Sequence, residues 1–144
     1  MYLSKGHKMK VTGRCHCGEL AFNAIVDPEK TMICHCTDCQ VLSATAFRTV
    51  VVSEIDGVQF TKGKPKEYVK VAQSGNHRAQ GFCEHCGTGI YASAIGDEPK
   101  VYNLRVGAID QRNELVPKRQ IWSRSAQHWL ADIGQLPAAE QSPK

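Results

Sequence analysis

Several features are scarce in this 144-residue chain, and each scarcity removes a class of protein. No apolar run approaches the ~18 residues that a membrane-crossing helix needs, so no membrane partner is expected. The opening residues, MYLSKGHKMK, contain no apolar stretch of the kind found in a secretory leader. The expected compartment is therefore the reducing cytoplasm. Basic residues do not cluster: the net charge is only +4, and the one local group is Lys62, Lys64 and Lys66. Nucleic acid is accordingly not an expected partner. There is no repeat of long period and no low-complexity tract, and helical periodicity is rare.

What remains reads as one globular domain. Hydrophobic content of 42% and charged content of 22% are ordinary for a packed chain and argue against disorder. Strand signals dominate. They run over 10–15, 19–26, 31–34, 46–53, 66–72, 78–83, 88–93 and 100–107, separated by Gly- and Pro-containing turns, including one at Asp27-Pro28. A short helix is expected over 37–42 and another over 126–132. The fold class is mainly β with little helix, and Trp122 and Trp129 are expected to pack in the core or at a sheet edge, with a wall of a substrate cleft as the alternative.

The distinctive feature is cysteine. Seven occur, in three groups: Cys15 and Cys17 in CHCG, Cys34, Cys36 and Cys39 in CHCTDC, and Cys83 and Cys86 in CEHCG. In a reducing compartment, clustered thiols are metal ligands or reactive groups, not disulfides. C-x-x-C-G is a knuckle that aims two sulfurs at one metal, with glycine free to adopt positive φ. In C-x-C, residues i and i+2 of an extended segment share a face.

A structural zinc takes four ligands and is closed, whereas a catalytic zinc has three protein ligands and an open position. Seven divides as four plus three. The quartet would be Cys15, Cys17, Cys83 and Cys86, and the trio Cys34, Cys36 and Cys39. Spacing also permits Cys15 and Cys17 to share a metal with Cys34 and Cys36. Burial of the cysteines as small hydrophobes is the plainer alternative. His16, His35 and His85 each neighbour a proposed ligand and should point away from the metal, with His35 a candidate to support it by a hydrogen bond.

The segments GRCHCGELAF, CHCTDCQVLSATAF and GFCEHCGTGIY, in that order, resemble the glutathione-dependent formaldehyde-activating enzyme family, whose domain is shared with centromere protein V. The resemblance covers roughly residues 10–131 and includes IWSRSAQHWL. It implies a β-tent fold of antiparallel sheets around zinc. It also implies a structural zinc on Cys15, Cys17, Cys83 and Cys86, and a catalytic zinc on Cys34, Cys36 and Cys39. Residues 1–9 are then an N-terminal extension and 132–144 a C-terminal tail. Two departures lie beside the proposed reactive centre. Gln40 stands where many members have Arg, and Ser43–Phe47 reads SATAF where many read SGSAF. Both bear on the substrate more than on the metal.

The resemblance implies a carbon–sulfur lyase-type enzyme that joins a small thiol such as glutathione to formaldehyde or a related aldehyde. Three thiolates make a weak Lewis acid of zinc, which favours activation of a sulfur nucleophile over polarisation of a carbonyl. Glutathione carries two carboxylates, so cations should stand nearby. Arg48 is the first substrate-binding candidate, followed by Arg78 and Arg105. Thr37, Asp38 and Ser43 are candidates for hydrogen bonds around the metal, and Asp38 equally for capping the helix. The rival readings are a non-catalytic zinc-binding interaction module and a thiol-based sensor. An oligomer is compatible with either.

Overall fold

A computed structural model describes residues 7–143, so much of the extension expected at 1–9, and the last residue of the expected tail, lie outside the described residues. Eight strands form one sheet. They are β1 (Met9–Arg14), β2 (Ala21–Cys34), β3 (Arg48–Lys62), β4 (Lys66–Val71), β5 (His77–Phe82), β6 (Gly89–Ala94), β7 (Tyr102–Arg105) and β8 (Arg119–Ile121). The order is β1-β2-β3-β7-β6-β5-β4, with β8 added to β2. Neighbours are antiparallel, except that β8 runs parallel to the end of β2, with Cys34 opposite Ile121.

The Asp27-Pro28 signal marks a bulge, not a break. β2 passes through it as one strand of 14 residues. The pairing of β2 with β3 shifts three times, twice around this point: Ala24 faces Val58, Val26 faces Ser53, and Thr31 faces Val51. Each strand therefore carries extra residues at this point, Glu54–Gly57 in β3 and 27–30 in β2. Side chains take up the local polar groups there. Asp27 Oδ1 accepts from the Glu29 amide at 3.0 Å, and the Thr31 hydroxyl donates to the Pro28 carbonyl at 2.7 Å. Extra residues bend and twist a sheet. Here they divide it into a wing of β1 with the outer halves of β2 and β3, and a wing of β4–β7 with the inner halves.

The core lies between the wings. Val11, Phe22, Ala24 and Val26 from the first pack with Val51, Ile90, Tyr91 and Leu104 from the second. An aromatic chain crosses the gap: Phe22 to Phe60 at 5.8 Å, Phe60 to Tyr91 at 6.1 Å, and Tyr91 edge-on to Tyr102 at 4.9 Å. Alternation on β1 and on the first half of β2 supplies these inward residues, as period-2 patterning requires.

The one α-helix among the described residues is α1 (Thr37–Ser43), over the span expected from the sequence. The helix expected at 126–132 is a 3-10 segment, His128–Gln135. Trp122 and Trp129 are not in the core: 41% and 43% of their surfaces are exposed. No helix among the described residues is long and apolar enough to cross a membrane.

Candidate metal centres and thiol cleft

The structure brings the cysteines together as four and three. Cys15, Cys17, Cys83 and Cys86 form one cluster and Cys34, Cys36 and Cys39 the other, with the sulfurs of each within 4.8 Å of one another. The alternative grouping of Cys15 and Cys17 with Cys34 and Cys36 does not occur.

The quartet is built from two turns of like design. After β1, the Gly18 amide donates to the Cys15 carbonyl at 3.2 Å and the Cys15 amide to the Leu20 carbonyl at 3.1 Å. After β5, the Gly87 amide donates to the Cys83 carbonyl at 2.8 Å and the Cys83 amide to the Thr88 carbonyl at 2.9 Å. Gly18 and Gly87 both have positive φ, 82° and 81°. This is the conformation that lets each turn fold back under its sulfurs. The Thr88 hydroxyl joins the turns, accepting from the His16 amide at 3.0 Å and lying 3.2 Å from Cys86 Sγ. Hydrogen bonds from the Thr88 hydroxyl and amide and the Cys17 amide bring the Cys86 thiol down to about 5.

The spacing fits zinc. A tetrahedron with metal–sulfur bonds of ~2.3 Å has edges of ~3.8 Å. Cys15 and Cys17 are 3.6 Å apart, and Cys17 and Cys83 3.7 Å. Disulfides would need ~2.05 Å, and all seven cysteines are free. Cys15 and Cys83 are buried in the core between the wings, so the quartet ties both wings together.

The trio sits where β2 gives way to α1. Cys34 ends the strand, Cys36 is the helix N-cap, and Cys39 lies in the first turn. Cys36 Sγ, not a carboxylate or hydroxyl, accepts the Cys39 amide at 3.2 Å. Asp38 instead contributes its negative charge to the first turn and pairs with Lys70 at 2.7 Å. The Ser43 hydroxyl donates to the Cys39 carbonyl. The thiols influence one another: the hydrogen bond to Cys39 lowers Cys34, while that bond and then burial raise Cys39.

None of His16, His35 and His85 joins either cluster. His35 is buried, with Nε2 2.7 Å from Gln120 Oε1 and its ring edge-on to Phe47 at 5.8 Å. It props β8 against the trio and does not hydrogen-bond a sulfur. Gln40 does similar work. Its side-chain amide donates to the His35 carbonyl at 2.9 Å and the Ser125 carbonyl at 3.0 Å, and its oxygen accepts from Gln127 at 2.8 Å. The departure at position 40 thus faces the chain after β8. The departure at 44 is likewise local: Ala44 is the helix C-cap, in the left-handed region at φ 56°, a place that glycine usually takes.

The trio opens into a cavity of about 220 Å³ lined by Arg48, Arg78, Gln80 and Arg105 as well as by the three cysteines. Gln80 is buried, and its Oε1 accepts from Arg105 Nη2 at 2.8 Å and Arg48 Nη1 at 3.5 Å. One oxygen thus holds two guanidiniums side by side. No carboxylate among the described residues forms an ion pair with Arg48, Arg78 or Arg105. Burial, then the charge of Arg48, pulls Arg105 down to about 9, which leaves it cationic at neutral pH. Arg105 and Gln80 are strand residues. Arg105 was a sequence candidate on charge alone and Gln80 was not one; the order β3-β7-β6-β5 is what brings both to the trio.

A closed quartet and an open trio of cysteines, set on a bent antiparallel sheet, define a mainly-β protein with two thiolate centres suited to two zinc ions. Residues 10–125 match the family model described as glutathione-dependent formaldehyde-activating enzyme. The chain belongs to that family. No curated protein matches it. Among solved structures it is similar to a Rhodobacter sphaeroides protein from a structural genomics programme. That protein is 16% identical, with a TM-score of 0.58 over 76% of this chain and 98% of the other, and the likeness is one of fold.

Proposed function

We propose that the 10–131 domain is a carbon–sulfur lyase-type enzyme that adds a carboxylate-bearing thiol, of the class of glutathione, to formaldehyde or a related small aldehyde. The observation that carries this reading is the cationic cavity over the three-sulfur cluster. A trio with room for a fourth ligand is the arrangement of a reactive centre, and the unpaired guanidiniums supply recognition. In this reading Cys34, Cys36 and Cys39 hold the catalytic zinc and Cys15, Cys17, Cys83 and Cys86 the structural one. Zinc on the trio would hold the substrate thiol ionised at neutral pH, and the resulting charge of −2 is offset by the guanidiniums.

The chain's own residues bind and orient. Arg48 and Arg105 each commit one N–H to Gln80 and keep further donors for a carboxylate, which a guanidinium fork matches in geometry. Arg78 adds charge from the same wall. Holding sulfur and aldehyde together in this space replaces an encounter in solution. The sulfur attacks the carbonyl carbon and an S–C bond forms. The C=O π pair moves to oxygen, which takes up the proton that the thiol released. The product is the S-hydroxymethyl thiol, and the reverse reaction is the lyase direction.

The test is zinc per chain in wild type and Cys36→Ser, each titrated with glutathione. Two zincs falling to one, with glutathione bound only by wild type, is the expected result. Arg48→Gln should then keep both zincs and weaken glutathione by about tenfold, the scale of one charge-assisted hydrogen bond. Two zincs with no thiol bound would overturn the reading.

A further inference from the structure

The cavity over the trio does not stand alone. Cys36, Lys70, Ala72 and Ser74 also line a neighbouring cavity of about 320 Å³. The two adjoin along this shared wall, and we treat them as the inner and outer arms of one cleft that meet at Cys36. The inner arm, at about 220 Å³, is smaller than the ~300–1,000 Å³ of most small-molecule sites. A thiol of tripeptide size needs the outer arm as well.

The outer arm is walled by Trp122, Arg124 and Ser125. Trp122 is in the left-handed region at φ 55° and ψ 40°, a strained conformation for a bulky L-residue. The segment is held there from both sides. The His35 amide donates to the Ile121 carbonyl at 3.1 Å, and Gln40 holds the Ser125 carbonyl at 3.0 Å. The strained turn keeps the indole at the cleft instead of in the core. The Arg124 guanidinium lies over that indole, 5.3 Å from its centroid, a contact that steadies an exposed cation. Lys70, the other cation of this arm, is committed to Asp38. Arg124 has no ion pair among the described residues.

We propose that the outer arm is a second carboxylate subsite, formed by Arg124 on the platform of Trp122. The substrate is then a thiol with a carboxylate at each end, its sulfur where the arms meet beside Cys36, one carboxylate on Arg48 and Arg105 and the other on Arg124. This rests on the thiol reading above and extends it to substrate selection. A thiol with a single carboxylate fills only one arm and binds more weakly.

The test titrates zinc-loaded wild type and Arg124→Gln with three probes: glutathione, its glycyl ethyl ester and cysteinylglycine. The last two each lack one terminal carboxylate. Arg124→Gln should weaken glutathione by about tenfold, as for one exposed charge-assisted contact. It should leave one of the truncated probes unchanged, which identifies the end that lies in the outer arm. Arg124→Lys should restore part of the loss, with zinc content and melting temperature constant throughout. Equal losses for all three probes, or no loss for any, overturns the subsite while leaving thiol binding at the inner arm intact. Failure of every thiol to bind wild type overturns both readings.

Discussion

Gln40→Ala removes three hydrogen bonds at once, and their positions decide what should loosen. Two of them join α1 to residues 125 and 127, and the third ties α1 to the His35 carbonyl in the turn before it. A net worth of about 1 kcal/mol per bond gives a loss on the order of 2–4 kcal/mol, once the part-buried partners find water imperfectly. The loss should be local. None of these hydrogen bonds reaches the wing of β1 with the outer halves of β2 and β3, which is held by its own core and by the quartet. The segment after β8 should open separately, as weakly held units do. Amide hydrogen exchange on the zinc-loaded protein reads this directly. The His35 amide, which donates to the Ile121 carbonyl, should exchange on the order of 30- to 700-fold faster, while amides of Phe22 and Ala24 stay unchanged. Gln127→Ala, which deletes one bond, should accelerate exchange by about fivefold. Unchanged exchange at His35 in Gln40→Ala would refute the clamp. Uniform acceleration across the molecule would refute its locality.

Two further outcomes test other parts of the account. Ala44→Gly should stabilise the protein against urea by about 0.5–1 kcal/mol, because the left-handed C-cap at φ 56° penalises a Cβ more than glycine's extra freedom costs; destabilisation would show that the cap is not strained. Tyr91→Phe concerns pH. Burial, then the hydrogen bond to Glu67 at 2.6 Å, raises the Tyr91 hydroxyl far above its ordinary value. A raised group stabilises the fold fully below the unfolded value of ~10 and loses that contribution as pH climbs beyond it. Wild type should therefore lose about 1 kcal/mol more than Tyr91→Phe between pH 10 and 11 in urea titrations, and parallel curves would contradict the assigned burial.

Much of this was legible in the chain because cysteine chemistry is sparse in its options. The four-plus-three partition follows from ligand number, and the short helix from a turn that had to aim Cys36 and Cys39 together. Strand positions were also readable wherever one face is buried. The bulge at Asp27-Pro28 was read as a break because a turn signal inside a strand looks the same as one between strands. β8 went unread: three exposed residues, Arg119–Ile121, have no alternation to betray them, and their order comes from pairing with β2. Burial of the tryptophans in the core was not met, for a related reason. Residue type favours burial of indole, but the conformation of Trp122 is fixed by Gln40 and His35, some 85 positions away. Arg48 was found by its nearness to CHCTDC and Arg78 and Arg105 by their charge, while Gln80 needed the strand order.

The parallel pairing of β8 with β2 also sets a schedule for synthesis. His35 and Gln120 are separated by 85 positions. At roughly 5–20 residues per second, a ribosome takes on the order of 4–20 s to cover that distance. During that interval CHCTDC can already have emerged while the wall that will enclose it is still being translated. The nascent trio is exposed to oxidants and stray soft metals before β8 pairs beside it. Correct loading of this centre is then a race fought on the ribosome, and slowing translation between residues 36 and 120 would lengthen the period of risk without altering a single contact in the finished protein.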